Sequence, residues 1–143
     1  MDQEFNYDLF VVGGGSGGLA AASAAAASGA KVGLADFVKP SPHGTKWGLG
    51  GTCVNVGCIP KKLFHYTGLL GESKEDLSEA GWQIDSKAQH NWEQASERIT
   101  DYIKSINWGY KKKLNEEKIT YYNKLARLVS AHSLELNNDQ GEK

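Results

Sequence analysis

Two cysteines stand close together in a chain that has no others: Cys53-Val54-Asn55-Val56-Gly57-Cys58, followed by Ile59-Pro60-Lys61-Lys62. A near pair without a secretion signal suits redox or catalytic chemistry better than a structural staple. A disulfide needs its Cα atoms within ~4.4–6.8 Å. Residues five apart in an ideal helix lie roughly 8–9 Å from each other, so a bridged pair requires a break in regular helix. Gly57 makes that break cheap, and Asn55 tolerates unusual dihedrals. A strained or exposed bridge of this kind is easily reduced. A helix starting near Cys58 or Ile59 would favour a thiolate at its N-terminus, and Lys61 would add positive charge. Two other readings stay open on spacing alone. One is a pair of free buried cysteines in a helix. The other is a two-cysteine zinc site with His65, which falls short of the usual three or four protein ligands; no metal is expected.

A second constellation lies upstream. Gly13, Gly15 and Gly18 form G-x-G-x-x-G, with Ser16 and Gly17 between them. The motif follows a strand-like run and opens a helix-like one, the context that gives it meaning. Gly13 permits the tight turn, Gly15 lets a pyrophosphate approach the backbone, and Gly18 lets the helix pack on the sheet. The helix N-terminus then faces the anion. Asp36, 18 residues past Gly18, ends the next strand. A carboxylate there accepts from a ribose diol and repels a 2′-phosphate, which favours FAD or NAD over NADP. A flexible loop with an incidental acid is the bland alternative.

The elements that position these residues read as α/β. Tyr7 to Val12 is a buried strand, Leu19 to Ser28 an alanine-rich helix ended by Gly29, and Lys31 to Ala35 a second strand, together a βαβ unit. Residues 37–52 form a long loop with two prolines and four glycines, and long loops are usually functional. A helix is expected from Pro60 to about Gly71, then a polar stretch from Glu72 to Lys87. From Asn91 to Glu117, Trp92, Ala95, Ile99, Tyr102, Ile106, Tyr110 and Leu114 make one helical stripe. Asn91 and Gln94 resemble a capping box, and Gly109 is a place for a bend. Lys118 to Tyr122, Leu125 to Val129 and Ser133 to Leu136 have strand character.

The chain has 143 residues, net charge −1, and 40% hydrophobic and 23% charged residues. That excludes a nucleic-acid footprint and a disordered chain, and no run of ~18 apolar residues offers a membrane span. The alanine run from Leu19 follows acids rather than bases, so it is not a signal peptide. Glycine is the outlier: 17 residues, 12 of them between Gly13 and Gly57.

GGGSGG (13–18), Asp36 and GGTCVNVGCIPKKL (50–63) together resemble the flavin-dependent pyridine nucleotide–disulfide oxidoreductases. PSPHGTKWGLGG (40–51) and INWGYKKKL (106–114) look like segments of the large, animal-type thioredoxin reductase branch and of thioredoxin–glutathione reductase. The resemblance runs from about Tyr7 to near the end. It implies a Rossmann-like FAD-binding fold with a parallel sheet, helices and a small β-meander. It also implies a route from NADPH to FAD to Cys53–Cys58 to a protein disulfide such as that of thioredoxin. In that scheme Cys58 is the flavin-side thiol and Cys53 the interchange thiol. Lys61 lies near the flavin, Gly51 and Thr52 line it, and Ala126 approaches the adenine side. Trp108 and Tyr110 would border a cleft for the partner subunit's redox tail, or simply pack a helix.

Family members run to roughly 500 residues as homodimers, so this chain is expected to be the N-terminal part of an FAD domain whose sheet is unfinished. The NADPH domain, the dimerisation domain and that domain's His–Glu acid–base pair have no counterpart here; His43, His65, His90 and His132 match no such position. Lys124 is bulkier than the family pattern near the adenine. Glutathione reductase, thioredoxin–glutathione reductase and an inactive truncated isoform are the competing readings. The setting implied is cytoplasmic, or mitochondrial, with neither nucleic acid nor membrane as partner.

Overall fold

The computed structural model describes residues 5–40, 46–85, 87 and 89–138. Three parallel strands, β1 (Leu9–Val12), β2 (Val32–Ala35) and β3 (Thr120–Tyr122), form a sheet in the order β1-β2-β3. Helix α1 (Ser16–Ala27) joins β1 to β2, and the remaining helices intervene before β3. Four apolar or small residues make β2, and all four are buried. This is the pattern of a central strand covered on both faces.

The alanines of α1 have little bulk, so the helix lies close on the sheet. Leu19 and Ala22 pack with Val32 and Leu34, joined by Leu49 from the loop and by Leu114 and Ile119 from the stretch that leads into β3. Gly29, at φ 89°, stops α1 as expected, and the Ala30 N–H returns to the Ala25 carbonyl. On the opposite face of the sheet Phe10 stacks on Tyr122 and meets Tyr7 edge-on. The Tyr7 and Tyr122 hydroxyls are hydrogen-bonded. Gly33 makes room for this cluster, since a Cβ there would come within 2.7 Å of the Phe10 ring.

Three further helices follow: α2 (Gly51–Asn55), α3 (Cys58–Glu79) and α4 (Trp92–Glu116). Helix α3 begins two residues before Pro60 and runs well past Gly71, correcting the shorter helix expected. Glu, Lys and Leu through residues 72–79 are good helix formers, and polarity alone does not end a helix. Asn91 caps α4 by accepting from the Gln94 N–H, as the capping box required. The helix runs unbroken through Gly109. Only part of its stripe is covered: Ile99 and Leu114 are buried, whereas Trp92 and Tyr102 are exposed.

A hairpin, β4 (Leu125–Ser130) and β5 (Ser133–Asn137), closes the described chain. The meander is therefore a two-stranded ribbon among the described residues. β3 cannot be its third strand, because β3 runs parallel to β2 in the main sheet.

Candidate active site: a glycine turn joined to a thiol pair

The chain leaves β1 through Gly13, whose φ of 107° only glycine adopts without strain. Gly14 is buried against Asp36 and Leu49; a Cβ there would stand 2.9 Å from Asp36 and 2.6 Å from Leu49. The Gly15 carbonyl accepts from Leu19 and starts α1. A Cβ at Gly18 would fall on the Gly13 carbonyl oxygen and within 3.2 Å of Val11. That confirms Gly18 as the glycine that lets α1 seat on β1. A Cβ on Gly17 would meet nothing within 4 Å, and Ser16 is exposed beside it.

The first turn of α1 has neither a side-chain cap nor an acidic residue. Its N–H groups and positive end thus suit an anion. Asp36 sits half-buried at the carboxyl end of β2, its N–H donating to the Tyr122 carbonyl at 3.0 Å. Tyr121 lies close enough for the Asp36 charge to matter. Its phenol is held above the ordinary value, first by burial and then by that carboxylate. Helix end, glycine backbone and acid fit the diphosphate and ribose of a dinucleotide.

The thiol pair is carried to this turn by backbone contact. The Gly50 N–H donates to the Gly14 carbonyl at 2.8 Å, and Gly15 and Gly50 form an isolated parallel bridge. Gly51, at φ 71°, faces Gly15 so closely that a Cβ would stand 2.8 Å from the Gly15 Cα. Two glycine segments more than 30 residues apart thus meet with no side chain between them.

From that junction α2 carries Thr52, exposed, and Cys53, half-buried. Regular helix fails at Val56–Gly57, where Gly57 takes φ −120° and ψ −115°. A Cβ on Gly57 would come 2.9 Å from the Thr52 carbonyl oxygen and 3.2 Å from the Cys53 Cα. The break demanded by the spacing is present, and glycine permits it. Helix α3 then starts at Cys58, which is exposed, and Lys61 lies in its first turn. The cysteines are free thiols in the structure. The Cys53 thiol is held above its ordinary value, first by its hydrogen bond with the Cys58 thiol, then by desolvation and the Cys58 charge. The Cys58 N–H and Lys61 pull the other way.

Asn55 corrects one expectation. It is the last residue of a helix rather than the site of odd dihedrals. Its side chain accepts from the Gly48 N–H at 3.0 Å and donates to the Gly48 and Gly51 carbonyls. Asn107 of α4 donates to the Leu49 carbonyl at 2.6 Å and to Asn55 Oδ1 at 3.2 Å. Gly14, Leu49, Gly50 and Asn107 lie inside segments noted in the sequence but had no role of their own there. The apolar residue between glycines at 48–51 was the one available signal. Ala126 sits apart from this cluster, in β4 and paired with Leu136. Trp108 is exposed, and Tyr110 packs against the core. Residues 41–45, with His43, lie outside the described residues.

A sequence profile of the pyridine nucleotide-disulphide oxidoreductases matches residues 7–143. The chain belongs to that family. It is also 50% identical, over 139 residues, to the thioredoxin reductase SEP1 of Emiliania huxleyi. The match covers 97% of this chain and 28% of that relative's length. Among the described residues no group of three or more His, Cys, Asp or Glu is placed to hold a metal ion. No described helix is long and apolar enough to cross a membrane.

Proposed function

We propose that these 143 residues are the N-terminal, FAD-binding and dithiol-bearing part of an NADPH-dependent thioredoxin-disulfide reductase. The observation that carries the reading is the Gly14–Gly50 backbone joint, which sets the Cys53–Cys58 pair beside a dinucleotide-type turn. Identity to a protein named thioredoxin reductase supports the substrate class.

In this reading Gly13, Gly15, Ser16, Gly17 and Gly18 hold the diphosphate and Asp36 the ribose. Gly51, Thr52, Cys58 and Lys61 lie toward the flavin, and Ala126 toward the adenine. FAD supplies two-electron transfer between a nicotinamide hydride and the thiol pair. Cys53, as thiolate, attacks one sulfur of the substrate disulfide, breaking the S–S bond and releasing one thiol. Cys58 then attacks the Cys53 sulfur, releases the second thiol and closes the Cys53–Cys58 disulfide. The hydrogen bond to Cys58 keeps the Cys53 proton on, so the attack calls for a base. Lys61, the charged residue beside it, has no acceptor to offer; a His–Glu pair from a dimerisation domain would serve.

The test uses a full-length protein carrying this segment, expected as a homodimer with bound FAD. NADPH oxidation should follow oxidised thioredoxin and be abolished by Cys53→Ser or Cys58→Ser. Turnover of glutathione disulfide without thioredoxin reduction would make it a glutathione reductase instead. The 143 residues alone should give no NADPH turnover and little FAD retention. Stoichiometric yellow flavin on the purified chain would refute that last point.

A further inference from the structure

Helix α2 carries one of the two thiols yet has little to hold it. It spans five residues and has no side-chain cap at its N-terminus. Isolated helices need about 12–15 residues to persist. On its far side lies the Val56–Gly57 break, a hinge between α2 and the 22-residue α3. Buried Val54 supplies one apolar anchor. The Gly50–Gly14 backbone joint fixes the start of α2, and the side-chain hydrogen bonds that hold its far end come from two amides. Asn55 binds Gly48 through both its backbone groups and ties Gly51 to the same side chain. Asn107 locks that clasp to the middle of α4 through Asn55 Oδ1 and the Leu49 carbonyl. Both asparagines are half-buried, where one amide lost strands several partners.

We propose that Asn107 is a positioning residue for the dithiol, holding α2 through Asn55 so that Cys53 stays within bridging reach of Cys58. The inference rests on reading Cys53 and Cys58 as a redox pair. The reaction it governs is two thiols plus a disulfide co-reactant going to the Cys53–Cys58 disulfide plus two thiols. The co-reactant takes up two electrons and two protons. A clasped α2 raises the effective concentration of one thiol at the other, and so favours the bridged product. Released, α2 swings on the Val56–Gly57 hinge, the bridge closes less often, and the pair becomes more oxidising.

The experiment equilibrates a full-length protein carrying this segment in graded mixtures of oxidised and reduced dithiothreitol, traps thiols by alkylation and counts those at Cys53 and Cys58 by peptide mass. Asn107→Leu keeps the volume but donates to neither oxygen. Asn107→Ser is the milder variant, too short to reach them. The expected result is an equilibrium constant for bridge formation lowered about tenfold, about 30 mV for a two-electron couple, with unchanged helix content by circular dichroism. Bridge formation within twofold of the unaltered chain in both variants would overturn the role of Asn107 while leaving the redox pair intact. If Asn107→Leu fails to fold, Asn107→Ser decides. Failure of the unaltered chain to bridge in any mixture would instead remove the redox pair, and the inference with it.

Discussion

The junction of the glycine turn with α2 and the hairpin at the other end of the chain are built on opposite terms. At the junction, backbone meets backbone. Gly14 and Gly50 are buried and hydrogen-bonded, Leu49 is 3% exposed, and two asparagines satisfy the loop carbonyls. In the hairpin, apolar side chains face outward: Leu125 is 55%, Leu128 72% and Val129 55% exposed. Glycine and amides are placed where the chain closes on itself around a site. The ribbon shares its exposed apolar side chains with the outer faces of α3 and α4, where Leu70 and Trp108 also stand open. The glycine junction is thus the close-packed region, and the ribbon is the open one.

The sharpest way to break that contrast lies within a single motif. Gly18→Ala puts a methyl on the Gly13 carbonyl, and should cost about 3–5 kcal/mol. Hydrogen-exchange protection of the β2 amides would then fall more than about 100-fold. Gly17→Ala, one residue away in open space, should be neutral or stabilising by up to about 1 kcal/mol. Equal effects would show that the turn is not close-packed.

A second pair of substitutions sets core against ribbon. Leu34→Ala removes a fully buried side chain and should cost about 2–5 kcal/mol by the same exchange measurement. Leu128→Ser should stay within about 0.5 kcal/mol of the unaltered chain and reduce binding of a hydrophobic dye. A large stability loss at Leu128 would mean that the ribbon is packed after all.

The smallest effect expected is a titration. Hydrogen bonding to Cys58 raises Cys53, so Cys58→Ala should let the Cys53 thiolate form at lower pH. The midpoint of its iodoacetamide reactivity then moves down. An unmoved midpoint would put the cause in desolvation instead, and a shift upward would show that Cys58 does not hold the Cys53 proton on.

Local signals carried the elements well. Short apolar runs marked β1 and β2, strand character marked β4 and β5, and a capping asparagine marked the start of α4. Where they erred, polarity was weighed above propensity or a tertiary neighbour was invisible. The polar stretch after Gly71 stayed helical because nothing there breaks a helix. Trp92 and Tyr102 stand exposed because the stripe they share is longer than the surface that meets it. Asn55 reads as a turn former in isolation, yet three backbone groups within reach of its amide make it a clasp.

What the sequence determined by itself is the chemistry: two thiols five residues apart across a glycine, a glycine turn with an acid beyond it, and a βαβ frame. Those follow from residue type and spacing over fewer than 30 residues. What only the tertiary structure decided is that the two chemistries share one place. Gly14 meets Gly50 and Asn107 meets Asn55, contacts between segments 36 and 52 residues apart in sequence. No local pattern encodes such contacts, because their energy lies in packing backbone on backbone after the chain has closed.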